Sequence, residues 1–295
     1  LEKIIFIIIL RILKNYLVIL AGSPRGGNRT WESLDKYVLK PLNADLAICL
    51  SDKWILNSSI LENAKFRWVF DDYSENLKYY EENFLNTWRE YLMTGQDTGL
   101  LSSGGVHFVF KDYILKNYLE TLEKYDYIVY TRFDQFYTDY HPEGKEDKIL
   151  IPFGEDYFGI CDRHALVPVS LIKQFLRICE FIDSDKALKN VPEFNNCETT
   201  FKQHLESEGL LRNVERFDRL QFTSSLKGEH TNWRVAKYRI YIYKNLMTKY
   251  PDEFLDSIRN LIDKKGIAKA LLQEPILLFN YIYIKIRIIL GKLKS

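Results

Sequence analysis

The sequence predicts an α/β protein: a mostly parallel sheet flanked by helices, with a helical carboxyl-terminal extension. Apolar runs of the kind a strand covered on both faces requires recur at residues 16–21, 44–50, 66–70 and 127–130, broken only by Asp45 and Arg67. Helix-like stretches separate them, as right-handed crossovers between parallel strands demand. Each run also stops abruptly at glycine or charged residues.

The first strand, Tyr16–Ala21, closes on Gly22-Ser23-Pro24, and Thr30–Leu39 then reads as a helix. Ala44–Leu50 is a second strand ending at Ser51-Asp52, and Phe66–Phe70 a third ending at Asp71-Asp72. A helical segment, 107–124, leads into the fourth strand, Tyr127–Tyr130, which ends on Arg132-Phe133-Asp134. Beyond Pro142 the pattern loosens into a short strand at Ile149–Ile151, a polar turn at Gly154–His164, and helices over Ser170–Ile182 and Cys197–Glu208. Residues 1–14 form an apolar amino-terminal segment, 15–235 the main domain, and 236–295 a basic, mainly helical extension. Sheets of this kind bind ligands beyond the carboxyl ends of their strands. The chemistry is therefore expected along one edge.

A chain of 295 residues with 46% hydrophobic and 27% charged content has ample material for a buried core. The net charge of +1 hides an asymmetry: residues 236–295 carry 12 Lys+Arg against 5 Asp+Glu, which leaves −6 on the first 235 residues. An acidic main domain argues against nucleic-acid binding, which needs a basic face. Four scattered cysteines without a C-x-x-C pair form neither a zinc site nor a disulfide framework, and free thiols fit a reducing cytosol. Ile4–Leu10 is too short to span a bilayer and reads as an extra apolar element or a truncated anchor.

Five stretches carry side chains suited to chemistry. Gly22 to Trp31 joins a strand to a helix start, where backbone N–H groups meet a phosphate, and Arg25 and Arg29 add fork-shaped donors. It lacks the Gly-Lys-Ser/Thr of a P-loop, and an exposed turn is the plain alternative. Arg132-x-Asp134, with Asp139 further on, delivers a carboxylate at a strand end, where it can hold Mg or Mn beside a phosphate or simply pair with its arginine. The 154–164 loop offers Asp156, Tyr157 and Asp162 to sugar hydroxyls and faces. Glu198, in the first turn of a helix, is either a dipole-compensating acid or a general base for an acceptor hydroxyl. His230, with Trp233 and Arg234, is suited to completing a metal shell or contacting a diphosphate, and a purely structural histidine is the plain alternative.

Together, the Gly22–Arg25 turn with Thr30-Trp31, the Tyr125–Asp134 run, the Gly154–His164 loop and His230-Thr-Asn-Trp233 resemble GT-A-like glycosyltransferases. That family is found in bacterial surface-polysaccharide clusters and large viruses. The resemblance implies a Rossmann-type sheet, a nucleotide-sugar donor, Mn or Mg, and a glycan or lipid-linked acceptor. It implies Arg25 and Asp71 or Asp72 near the nucleotide, Asp134 and His230 near the metal, and Asp156 and Asp162 near the donor sugar. Beside it, the residues themselves put Gly22, Arg29 and Arg132 among the donor contacts and Glu198, with Asp156, in catalysis, with inversion expected from a base such as Glu198. Arg132 stands where the family's usual Asp-x-Asp has its first acid, which leaves one carboxylate fewer for a cation.

Residues 276–290 are apolar and interrupted by Lys285 and Arg287, which on a helix point to different faces, and their Ile-x-Ile alternation also suits a strand. With Lys292 and Lys294 they make four bases without an acid, a composition for peripheral attachment of a cytoplasmic protein to a membrane surface. A sulfotransferase, or a non-catalytic glycan-binding protein, is the alternative from the same residues.

Overall fold

The computed structural model describes residues 14–51, 59–70, 76–94, 104–229 and 240–290. Asp52, Asp71, Asp72, His230, Trp233, Arg234 and the apolar amino-terminal run lie outside the described residues.

Seven strands form the main sheet in the order β3-β2-β1-β4-β7-β6-β8. They are β1 (Tyr16–Ala21), β2 (Asp45–Ser51), β3 (Phe66–Phe70), β4 (Tyr127–Thr131), β6 (Ile149–Pro152), β7 (Ala165–Pro168) and β8 (Val214–Phe217). β1 to β4 are mutually parallel, and β7 alone runs against its neighbours β4 and β6. The fold class read from the sequence therefore holds at the level of a mostly parallel sheet between helices. β1 shows why its residues make a central strand. Leu17, Ile19 and Ala21 enter the core on one face, and Tyr16, Val18 and Leu20 the core on the other.

Helices cover both faces. They are α1 (Gly27–Leu34), α2 (Ser59–Glu62), α3 (Asn76–Asn83), α4 (Trp88–Met93), α5 (Gly105–Leu122), α6 (Val169–Leu176), α7 (Ile178–Ile182), α8 (Asp185–Lys189) and α9 (Cys197–Ser207). The helix expected over 170–182 is thus two, parted at Arg177. α1 runs on through a π-helical turn, Asp35–Leu39, into Lys40–Leu42. Pro41 explains the widening: it has no N–H for the carbonyl of Tyr37 and its ring would press on it. That carbonyl instead accepts the His141 N–H at 2.9 Å.

A second, antiparallel sheet runs β10-β11-β9-β5, from Ile240–Tyr243, Leu246–Thr248, Gln221–Leu226 and Gln135–Tyr137. β5 begins at the residue after Asp134, so this sheet grows directly out of the carboxyl edge of the first. The chain ends in α10 (Pro251–Lys265), α11 (Ile267–Gln273) and α12 (Pro275–Ile289). Residues 240–290 are therefore not helical throughout, since a hairpin precedes the helices. Their Ile242, Phe254 and Leu277 share a third core with Phe136 and Phe222.

Candidate functional site

Strand order reverses at β1, which has β2 on one side and β4 on the other, and such a point opens a crevice at the carboxyl ends. The parallel register pairs Leu20 with Thr131, which sets the turn after β1 beside Arg132. β6 ends and β7 begins at this same edge, because they are antiparallel, so the 153–164 loop between them also lies there. The first turn of α9 is fastened to that loop: Ile160 N donates to the Glu198 carbonyl at 3.1 Å. A Cβ on Gly159 would lie 2.0 Å from that carbonyl oxygen, so only glycine permits the approach.

Arg25 and Asp134 meet here. Arg132 grips the Asp134 carboxylate with two bonds, Nε to Oδ1 at 2.9 Å and Nη2 to Oδ2 at 2.6 Å. Arg25 Nη2 stands 3.6 Å from Oδ2, and Asp134 is almost fully buried. Burial works to raise the Asp134 carboxyl, but Arg132 and Arg25 overcome it and hold the group at about 2. Gly22 closes β1, its N–H donating to Cys49 O at 3.0 Å.

An anion already fills the start of α1. Gly26, at φ 94° in the left-handed region that glycine tolerates, is the N-cap. Its N–H faces both carboxylate oxygens of Glu229 at 3.2 Å. Ser225 Oγ and Leu226 N donate to the same carboxylate at 2.9 Å each. The turn expected to receive phosphate thus receives a carboxylate of the chain itself, as helix polarity favours.

Glu198 is buried on the other side of the site, with its Oε1 3.4 Å from Arg163 Nη2. Burial pushes its carboxyl up, nearby Asp162 adds to this, and Arg163 opposes them, leaving it at about 7. Asn196 and Thr199 close a capping box around this helix start. Arg163 also pairs with Glu155 and, at 3.6 Å, with Glu253 on α10. Three non-glycine residues of the loop, Glu155, Tyr157 and Phe158, take positive φ of 54°, 38° and 72°, a local strain of the kind stored where a loop must present side chains in a fixed pose. Phe158 is 77% exposed and stacks on Phe194 at 4.9 Å between centroids.

The other expected residues have settled positions. Asp156 accepts from Cys161 N at 3.0 Å and Arg216 Nη2 at 2.8 Å, so it braces its own loop. Asp162 is buried, with its charge acting on both Glu198 and Arg132. Arg29 is exposed and lies 4.5 Å over the Tyr243 ring, with no described contact to the Arg25–Asp134 pair. Asp139 pairs with Lys264 at 2.8 Å and with Lys265, at the end of α10.

Sequence reasoning missed His107 and Lys249. Burial, then the charges of Arg132, Lys111 and Arg25, hold the His107 imidazole far below its ordinary value, so it is neutral at the start of α5. Lys249, directly after β11, is lowered by burial and by Arg163 and Arg132, and its charge reaches Asp134. The signal for His107 was in plain view, a histidine just inside a helix that opens with Gly104-Gly105. Lys249 had none, because only the β10–β11 hairpin brings it in.

Among the described residues no three of His, Cys, Asp and Glu gather as a cation site. The Asp134 carboxylate faces two guanidiniums, and His230, expected to share a cation with it, lies outside the described residues. No protein-family model and no curated protein matches this chain, so the reading of the site rests on its own geometry.

Proposed function

We propose that the chain is a GT-A-like glycosyltransferase that moves a sugar from a nucleotide-sugar donor to a glycan or lipid-linked acceptor in surface-polysaccharide synthesis. One observation carries this reading. Arginines from the ends of two adjacent parallel strands, Arg25 and Arg132, converge at the point where strand order reverses, 3.6 Å or less from one buried carboxylate. Guanidiniums from two strand ends, with the charge of Lys249 reaching the same carboxylate, are donors suited to a diphosphate leaving group.

Glu198 supplies the complementary half. A carboxyl titrating near neutrality accepts a proton from an acceptor hydroxyl and releases it again at physiological pH. The bond from acceptor oxygen to anomeric carbon forms as the bond to diphosphate breaks, with inversion. The hydroxyl proton passes to Glu198, and Arg25 and Arg132 take up the negative charge on the departing diphosphate. Asp162 keeps Glu198 basic through its charge, and the strained loop with Phe158 and Phe194 offers aromatic faces to the acceptor sugar.

Screening nucleotide sugars for slow hydrolysis, with and without Mn, tests the reading. One donor should be hydrolysed, and Arg25→Ala and Glu198→Gln should each slow it at least tenfold. If no nucleoside diphosphate binds in calorimetry, and adenosine phosphosulfate does, the sulfotransferase reading replaces this one.

A further inference from the structure

We propose that the exposed face of α12 is a docking surface for an anionic lipid bilayer. α12 is buried through Leu277, Leu278 and Ile284, which sit in the third core beside Phe222 and Phe254. Its opposite side carries Ile276, Phe279, Ile282, Tyr283, Ile286 and Ile289, all exposed, with Phe279 at 65% and Ile289 at 80%. At about 100° per residue these six fall within a single arc of about 140°. No polar side chain interrupts that arc.

Lys285 and Arg287 explain themselves on the same wheel. They point to different faces, and the two directions are the two margins of the apolar arc: Lys285 lies about 40° beyond one edge and Arg287 about 20° beyond the other. Both are half-buried, and Arg287 Nη1 donates to Tyr283 Oη at 3.1 Å. Long basic side chains flanking an apolar strip let the strip sink into acyl chains while their charged ends reach phosphate headgroups. Tyr283 suits the same boundary depth.

The charge pattern selects the occupant. Residues 275–295 contain no Asp or Glu, and Lys292 and Lys294 follow the helix in sequence. A second copy of the same face would set these bases against one another with no acid to answer them, whereas anionic headgroups answer all four. At 15 residues α12 is about 22 Å long, short of a bilayer's thickness, and no described helix is long and apolar enough to cross a membrane. The helix therefore lies in the interface plane. This inference stands apart from the transferase reading.

Flotation of the purified chain with vesicles of phosphatidylcholine and phosphatidylglycerol, against phosphatidylcholine alone, tests it. The protein should float with the anionic vesicles, less at 0.5 M salt, and weakly with the neutral ones. Phe279→Glu with Ile286→Glu should abolish flotation while the circular dichroism and melting of the protein stay unchanged, since both side chains are exposed. Lys285→Gln and Arg287→Gln should each weaken binding about fivefold on anionic vesicles only. Failure of the unaltered protein to float, or flotation indifferent to the Phe279/Ile286 change, overturns the proposal. So does a dimer in light scattering that Phe279→Glu dissociates while flotation persists.

Discussion

Replacing Glu198 with Gln should remove a specific piece of the protein's pH dependence. The carboxyl is moved from 4.5 to about 7, first by burial and then by Asp162. A group whose folded value is raised contributes stability only while protonated. Below pH 4.5 the contribution is complete, and it is lost as pH rises through 7, because the unfolded chain releases the proton earlier. At about 1.4 kcal/mol per unit, the full loss is on the order of 3 kcal/mol, of which about 2 to 3 kcal/mol falls between pH 5 and 8. The side chain is only 8% exposed, so solvent screening takes little of this away.

Gln keeps the shape and can still accept from Arg163, but it never ionises. The stability of Glu198→Gln minus that of the unaltered protein should therefore rise by about 2 to 3 kcal/mol from pH 5 to pH 8. Urea denaturation at four pH values measures it as a midpoint difference growing by about 1 M for a slope near 3 kcal/mol per M. Other titrating groups change both proteins alike and cancel in the difference. A difference that stays flat across this range would show that Glu198 ionises near its ordinary value. Glu198 would then have no physical basis as a base acting near neutral pH.

Asp134→Asn strips the counter-charge from two arginines and should cost about 3 to 5 kcal/mol in denaturation experiments. In the unaltered protein the same carboxylate, held down at about 2, contributes stability above pH 4 that is lost as pH falls toward 2. Glu229→Gln should tighten inorganic pyrophosphate binding in calorimetry several-fold, since the chain's own anion no longer competes for Gly26 N–H at full charge. The buried pair His141 and His164 should lower stability as pH falls below 6.5, because burial holds both below that value and neither can gain a proton without breaking a bond. Replacing His164 with Gln should flatten that part of the acid limb.

That histidine pair also shows where the sequence was legible and where it was not. By sequence, His164 is only the last residue of a loop rich in acids and glycines. Its environment is instead a closed chain of donors and acceptors. His141 Nδ1–H donates to Pro142 O at 2.7 Å, which leaves its Nε2 to accept from His164 Nε2–H at 2.8 Å. His164 Nδ1 must then accept from Tyr137 Oη–H at 3.2 Å, and Tyr137 Oη accepts in turn from Thr131 at 3.0 Å. No proton in this chain is left over to transfer. Nothing in the spacing of Thr131, Tyr137, His141 and His164 announces it, because the partners come from separate elements.

The first four strands were legible for the opposite reason. β1 is apolar and buried on both faces, the edge strand β3 buries Trp68 and Phe70 while Arg67 and Val69 stay exposed, and Tyr16–Ala21 and Phe66–Phe70 keep in the fold the bounds their sequence predicts. The site was half legible. Strand ends are local, so Arg25, Arg132 and Asp134 could be placed by where the apolar runs stop. Glu198 could be seen as a helix-start acid, but not as a raised one, since burial raises it first and Asp162, with Arg163 opposing, acts on it from a different loop. The tail's sequence fits two periodicities. Its Ile-x-Ile alternation allowed a strand, yet Pro275 at the first turn and the packing of Leu277, Leu278 and Ile284 on the third core select a helix. Once it is a helix, the two bases that spoiled an amphipathic reading become the margins of the apolar face. Periodicity read without a partner surface says which residues share a side, and only the partner says which side is left uncovered.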